Sequence, residues 1–217
     1  LRYDLFGRGF SDRPRATYNI HFFIKQLNDL LDALRFPQTN LVGLSMGGPI
    51  TTAFLSRYPQ RVNKHVLIDP SGVNPVALAP LLKMVQTPIL GELALGLFGS
   101  ENMVISAASD FFSPELVKQF QDQYRVQLQF KGFKRAILST MRNKMLESFY
   151  ETYQRAGEQH KPTLLFWGEN DATVPFTDSR EILKAIPHTE FYPIPNCGHI
   201  PHYEKPTIVN PILLEFL

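Results

Sequence analysis

The sequence predicts an α/β fold, a mostly parallel sheet with helices on both faces and a helical insertion in the middle. Three observations carry this reading. Apolar runs of strand length alternate with amphipathic helical stretches early in the chain; the alternation stops after Gly72; it resumes after His160. Parallel neighbours need a crossover connection, usually a helix, so this rhythm is what a parallel sheet requires.

Residues 19–36 read as an amphipathic helix. Ile20, Phe23, Ile24, Leu27, Leu31 and Leu34 recur at helical spacing, and Lys25, Gln26, Asn28, Asp29 and Asp32 fill the other face. Pro37 ends it. Residues 41–44 form a short buried strand. Residues 49–58 read as a helix with Pro49 near its start, where the missing N–H does least harm. Residues 62–68 are the next strand. From Val73 to about Glu158 the patterns are helical, cut by Pro75, Pro80, Pro88 and Pro114, with the longest helices at 116–128 and 133–153. Strands at 163–167 and 190–194 and helices at 177–186 and 206–217 complete the chain. The expected organisation is a sheet core of residues 1–72 and 159–217 and a helical insertion of residues 73–158. Leu81, Leu82, Met84, Val85, Leu90, Leu93, Leu95, Leu97 and Phe98 are expected mostly to form the core of that insertion.

A chain of 217 residues suffices for one good core and a small inserted domain. Hydrophobic residues at 44% and charged residues at 19% are ordinary for a globular protein and argue against disorder. With 22 basic and 20 acidic residues the net charge is +2, which predicts no nucleic-acid partner. The densest basic stretch, Lys131, Lys134, Arg135, Arg142 and Lys144, is expected to be a solvated helix face. Cys197 is the single cysteine, so no internal disulfide forms; this fits a reducing compartment and slightly favours the cytoplasm. No apolar run approaches the roughly 18 residues of a membrane span, and membrane contact is not indicated.

The chemistry starts at Gly43-Leu44-Ser45-Met46-Gly47, a G-x-S-x-G segment between a strand and a helix. A tight strand-to-helix turn strains the serine backbone, so both flanking positions, Gly43 and Gly47, are expected to need a residue without Cβ. The turn lifts the Ser45 hydroxyl clear of the sheet and aims the Met46 N–H at a developing oxyanion. Gly48 lets the helix pack closely.

A serine nucleophile needs a base. Of six histidines, His21 lies on the first helix, His65 inside a strand, and His160 and His188 in surface turns. His199 follows the last strand, on the carboxyl rim of the sheet where catalytic groups of open α/β sheets gather. His202, three residues on, is its rival. The base needs an acid to hold its tautomer. Asp171, after strand 163–167, stands on the same rim; Asp69, after strand 62–68, is the main rival, with Glu169 and Asp178 behind. The order Ser45, Asp171, His199 differs from those of the chymotrypsin and subtilisin types.

Four segments resemble the α/β-hydrolase superfamily in its helical-cap branch: YDLFGRGFSDRP from Tyr3, VGLSMGG from Val42, LFWGENDATVP from Leu165 and NCGHIPHYEKP from Asn196. The resemblance implies a Ser45–His199–Asp171 triad and places the Tyr3 to Pro14 loop under the active site. It excludes haloalkane dehalogenases and epoxide hydrolases, whose nucleophile is Asp. Carbon–carbon hydrolases of ring-cleavage pathways resemble the chain in the SMGG elbow, but usually carry Trp directly after the catalytic His, where this chain has Ile200. That departure favours ester cleavage. The family's first strands and its second oxyanion donor precede the Asp4 loop, so the chain is expected to be incomplete at its N-terminus.

The leading expectation is an esterase- or lipase-like hydrolase that cleaves a carboxylic ester, the substrate a small molecule with an apolar acyl group, through an acyl-enzyme on Ser45, with no metal and no organic cofactor. The alternatives are a carbon–carbon bond hydrolase, a thioesterase or amidase, a haloperoxidase-like enzyme, and a ligand receptor or inactive fragment that kept the fold.

Overall fold

The computed structural model describes residues 1–75, 86–97 and 99–217. Four parallel strands, β1 (Thr39–Leu44), β2 (Val62–Ile68), β3 (Thr163–Gly168) and β4 (Thr189–Ile194), lie side by side in chain order. β3 is buried along its whole length, as a central strand covered on both faces must be. Helix α1 (Ile20–Ala33) precedes β1, α2 (Gly47–Arg57) joins β1 to β2, and α8 (Ser179–Ala185) joins β3 to β4. The chain closes with α9 (Pro201–Glu204) and α10 (Pro206–Phe216). Between β2 and β3 stand α3 (Leu90–Leu97), α4 (Gly99–Ser106), α5 (Pro114–Leu128), α6 (Phe133–Arg142) and α7 (Tyr150–Gly157).

The core lies on both faces of the sheet. Leu27, Leu31, Phe54 and Leu55 pack α1 and α2 together around Leu41 and Val62. Val66, Ile68, Leu164 and Phe166 meet Val209 of α10. α1 is capped as its sequence suggests, with Asn19 Oδ1 accepting from the Phe22 N–H at 3.0 Å.

Several expectations are corrected. The long helix at 133–153 is two helices, parted where Lys144 takes a φ of +67°. The second of these, α7, belongs to the sheet layer: Tyr153 packs with Leu67, Leu165 and Trp167, and Ala156 with Phe54 and Leu55. α7 thus packs on the sheet although it lies within the 73–158 stretch expected to be the insertion. Gln26 is buried on α1, where it accepts from the Phe6 N–H at 2.8 Å and donates to the Asp4 carbonyl at 3.1 Å, pinning the Asp4 loop. The basic stretch is a solvated face only at Lys131 and Lys144. Arg135 donates to the Pro14 and Arg13 carbonyls at 3.0 and 2.5 Å, Lys134 to the Leu95 carbonyl at 3.2 Å, and Arg142 pairs with Glu92 at 2.6 Å. Leu95 is buried with Leu138, but Leu90 and Leu93 are exposed. Pro80, Leu81, Leu82, Met84, Val85, Phe98 and the Leu97 side chain lie outside the described residues.

His65 on β2 is fully buried, its Nε2 3.1 Å from Thr51 Oγ1 and its Nδ1 without a partner among the described residues. Burial pushes its pKa down to about 3. The folded state keeps the ring neutral to that pH, while the unfolded chain takes up a proton below about 6.5. Stability from this site is whole above pH 6.5 and is lost as pH falls towards 3. Urea unfolding of the wild type should lose a few kcal/mol more between pH 6.5 and 3 than that of His65→Asn.

Candidate active site

Each strand ends on the same rim, and each exit carries a polar residue of interest. Ser45 leaves β1 with a φ of +50° and Asp69 leaves β2 with a φ of +42°, both in the left-handed region that costs a side-chain-bearing residue about 1–2 kcal/mol. The Ser45 turn is held from three sides. Its N–H donates to the Ile68 carbonyl at 3.0 Å, and its carbonyl accepts from Gly48 at 2.9 Å and Ser71 at 3.1 Å. Met46 follows as the N-cap residue of α2, which sets its N–H at the positive end of that helix.

The glycines flanking Ser45 differ. A Cβ at Gly43 would stand 2.5 Å from both the Gly47 carbonyl oxygen and Thr51 Oγ1, so glycine is required there. A Cβ at Gly47 meets nothing within 4 Å among the described residues, which corrects the expectation that both positions exclude one. Gly48 does need to be bare, since its Cβ would lie 2.5 Å from Pro70 Cβ.

Asp171 and His199 are joined. His199 Nδ1 lies 2.7 Å from Asp171 Oδ2, and both side chains are buried. A carboxylate only accepts, so Nδ1 donates and Nε2 is left to take a proton. Asp171 is fixed by its own loop, with Oδ1 accepting from the Thr173 N–H at 2.7 Å and the Val174 N–H at 2.9 Å. Ser45 and His199 line one cavity of about 410 Å³ with Leu44, Asp110, Phe111, Phe120, Gln123, Thr173, Ile200, His202 and Tyr203.

The rivals have other places. His202 lines the cavity, but its buried Nδ1 has no partner among the described residues, and burial first, then Arg2 and His199, lower its pKa. Asp178 accepts from Asn74 Nδ2 at 2.9 Å, and Glu169 is exposed. Asp69 accepts from the Gly168 N–H at 2.9 Å. Asp69, Asp171 and His199 have ligand-type atoms within 4.8 Å of one another. The lone pairs of Asp171 face His199 and two backbone N–H groups rather than a common centre, so this cluster is no ready metal cage. Cys197 is buried and forms no disulfide; its thiol donates to Glu204 Oε1 at 3.8 Å and is pushed up to about 12, first by burial and then by Glu204 and Asp69.

Two residues that the sequence reading passed over shape the site. Asp110, in the insertion, takes the His199 N–H on its backbone carbonyl at 2.8 Å and the Thr173 hydroxyl on Oδ1 at 2.6 Å. Glu204 accepts from the Gly198 N–H at 2.7 Å with one oxygen, and from the Phe112 and Ser113 N–H groups at 3.0 and 2.9 Å with the other. Its carboxylate thus fastens the insertion to the histidine loop. The glutamate is visible in the sequence five residues after His199, but nothing in its spacing reveals partners some 90 residues away.

With this geometry in place, comparison gives the class. The alpha/beta hydrolase fold family matches residues 1–206, and the chain belongs to that family. It is a hydrolase of this fold. The chain is similar to 2-hydroxy-6-oxo-6-phenylhexa-2,4-dienoate hydrolase of Burkholderia cepacia, with 28% identity over 217 residues, covering 95% of this chain and 70% of that protein. It is also similar to 2-hydroxy-6-oxononadienedioate/2-hydroxy-6-oxononatrienedioate hydrolase of Paraburkholderia phymatum, with 26% identity, covering 88% of this chain and 66% of the relative. The chain thus spans 70% and 66% of the length of these two relatives. Among solved structures, the enol-lactonase of Burkholderia xenovorans superposes with a TM-score of 0.82 at 18% identity, covering 99% of this chain and 79% of that one. The meta-cleavage product hydrolase of Pseudomonas fluorescens gives 0.78 at 24%, covering 98% and 77%. These structural likenesses establish the fold.

Two predictions follow from the site geometry. Gly43→Ala should abolish labelling of Ser45 by a fluorophosphonate, while Gly47→Ala should leave a folded chain that still labels; equal behaviour of the two variants contradicts the steric assignment. Glu204→Ala removes charge-assisted hydrogen bonds, each worth about 1.5–3 kcal/mol. Amide exchange at Phe112, Ser113 and Gly198 should then accelerate at least about tenfold, with the β3 amides unchanged.

Proposed function

We propose that the chain carries the catalytic machinery of a serine hydrolase in which Ser45 attacks a carbonyl carbon, His199 takes the serine proton, and Asp171 holds His199 and stabilises its imidazolium. The observation that supports this is the buried 2.7 Å His199–Asp171 hydrogen bond opening, with Ser45, onto one cavity. The Met46 N–H at the head of α2 is the proposed oxyanion donor. Residues 86–97 and 99–149 are proposed to form a cap over the site, and the Asp4 loop to lie beneath that cap.

For the bond that is broken, the leading reading is a carbon–carbon bond beside a ketone, in a substrate of the 2-hydroxy-6-oxo-dienoate class. Relatives matched across most of the chain carry that activity in their names, which moves the balance away from the ester that Ile200 suggested. In this reaction the dienol first ketonises, the proton of its 2-hydroxyl moving to the carbon beside the 6-ketone, so that this carbon adjoins a double bond conjugated with a 2-oxo group. The Ser45 oxygen–carbon bond then forms and the carbon–carbon bond breaks. The electron pair passes to the leaving fragment as an enolate, which His199 protonates. Water then releases the acyl group, with His199 again as base.

One observation favours an ester as the second reading. The cavity lining includes the carboxyl of Asp110 and, among the described residues, no lysine or arginine, so it offers no cation to a dienoate carboxylate. Burial raises the Asp110 pKa and the Thr173 hydroxyl opposes that rise.

The two readings separate in one assay: the chain is offered 2-hydroxy-6-oxo-6-phenylhexa-2,4-dienoate and a series of p-nitrophenyl esters. Loss of the dienoate chromophore with a kcat/KM at least about 100-fold above that for any ester supports carbon–carbon cleavage, and the reverse ratio supports the ester. Ser45→Ala should lower either activity roughly 10⁴- to 10⁶-fold. Turnover undiminished in that variant would remove Ser45 from the mechanism.

A further inference from the structure

We propose that Asp69 carries a proton in the folded chain and donates it in a hydrogen bond to Asp171, so that it acts as a positioning residue behind the triad acid. The inference rests on the reading of Ser45, His199 and Asp171 as a triad.

Asp69 sits where the backbone leaves no choice of direction. It ends β2 with a φ of +42°, and its N–H is tied to the Phe166 carbonyl at 3.0 Å. The side chain is fully buried. Oδ1 accepts from the Gly168 N–H at 2.9 Å, while Oδ2 is buried with no hydrogen-bond donor among the described residues. A buried carboxylate oxygen lacking a donor is costly, whereas the same oxygen carrying a proton is itself a donor. Its available acceptor is Asp171, since atoms of Asp69, Asp171 and His199 lie within 4.8 Å of one another.

The surroundings oppose a second charge. Asp171 faces Asp69 from the loop after β3 and Glu204 from α9; the Cys197 thiol and His199 stand on the loop after β4. Asp171 and Glu204 both act to keep the Asp69 proton on, burial contributes most, and the Gly168 N–H is the one group pulling the other way. Burial thus raises the Asp69 carboxyl well above the carboxylate range. Two carboxyl groups this close in a dry interior share one proton. It belongs on Asp69, because Asp171 already receives three hydrogen bonds, from His199 Nδ1 and the Thr173 and Val174 N–H groups. The hydrogen bond from Asp69 adds a fourth, fixing the plane of the Asp171 carboxylate and with it the imidazole of His199.

The test uses charge, which a purely structural role does not read. Asn at position 69 mimics a protonated Asp: its oxygen still accepts from Gly168 and its NH₂ still donates to Asp171. Labelling of Ser45 by a fluorophosphonate is followed against pH in the unmutated chain and in Asp69→Asn. The rate rises as His199 loses its proton. If Asp69 is neutral, the two rising limbs coincide and the plateau rates agree within about threefold. An ionised Asp69 so close to His199 stabilises the imidazolium. Its removal would shift the limb of the variant down by roughly two pH units, and a downward shift of one unit or more overturns the proposal.

Asp69→Val deletes the donor; it should lower the plateau rate about 10- to 100-fold, with Asp69→Asn restoring it. A Val variant that is folded and labels at the unmutated rate overturns the positioning role. The ¹³C shift of the Asp69 carboxyl, in unmutated protein labelled at aspartate, needs no activity and no variant. It should stay at the carboxylic-acid position through neutral pH, and a carboxylate position there overturns the proposal. Failure of the unmutated chain to label at all counts against the triad itself, whereas labelling combined with a shifted limb counts against Asp69 alone.

Discussion

The parallel register of four strands governs the rest of the molecule. Because β1 to β4 run the same way and pair in order, every strand discharges its chain at one rim, and Ser45, Asp69, Asp171 and His199 are delivered there by separate loops. The sheet interior supplies rigidity that loops cannot. Leu67, Leu165 and Trp167 are wholly buried directly beneath the exits. At two exits the backbone bends immediately into the left-handed region, at Ser45 and Asp69. That strain persists because flanking hydrogen bonds hold both ends of each turn.

Apolar and polar groups together join the inserted helices to this platform: Ala136 and Met145 pack with Tyr18, Phe23 and Ile50, and a set of hydrogen bonds runs beside them. Arg135 grips the carbonyls of Arg13 and Pro14, Arg8 reaches Thr140, and Glu204 holds Phe112 and Ser113 while also holding Gly198. The backbone of His199 is itself bonded to Asp110. His199 is therefore held from two directions, its ring by Asp171 and its backbone by Asp110. A displacement of the inserted helices would reach His199 through these bonds.

The interior behind the rim is acidic. Asp69, Asp171 and Glu204 converge with Cys197 and His199 where the loops after β2, β3 and β4 meet. Such a cluster survives burial only when each carboxyl is supplied with donors or with a proton. Glu204 and Asp171 have backbone N–H groups enough for a charge. Asp69 has one, and burial turns that difference into a difference in protonation.

Strand and helix order, the G-x-S-x-G turn and the loops bearing Asp171 and His199 were legible in the chain, because each is written in local signals: apolar periodicity, glycine and proline placement, and distance from a strand end. Helix limits agreed to within a few residues except at 133–153, where a single break interrupts an otherwise continuous helical pattern. What local signals do not encode is partnership across the fold. Gln26 looks like a surface residue until the Asp4 loop lies on it, and Glu204 looks like a helix end until the insertion reaches it. The choice of Asp171 over Asp69 is of the same kind. Both follow strands and stand on one rim, and only the three-dimensional path of the loops puts one carboxylate against His199 with backbone donors and leaves the other buried behind it. Residue pattern settles which elements form. Long-range packing and desolvation settle which polar groups meet, and so which of them carries charge.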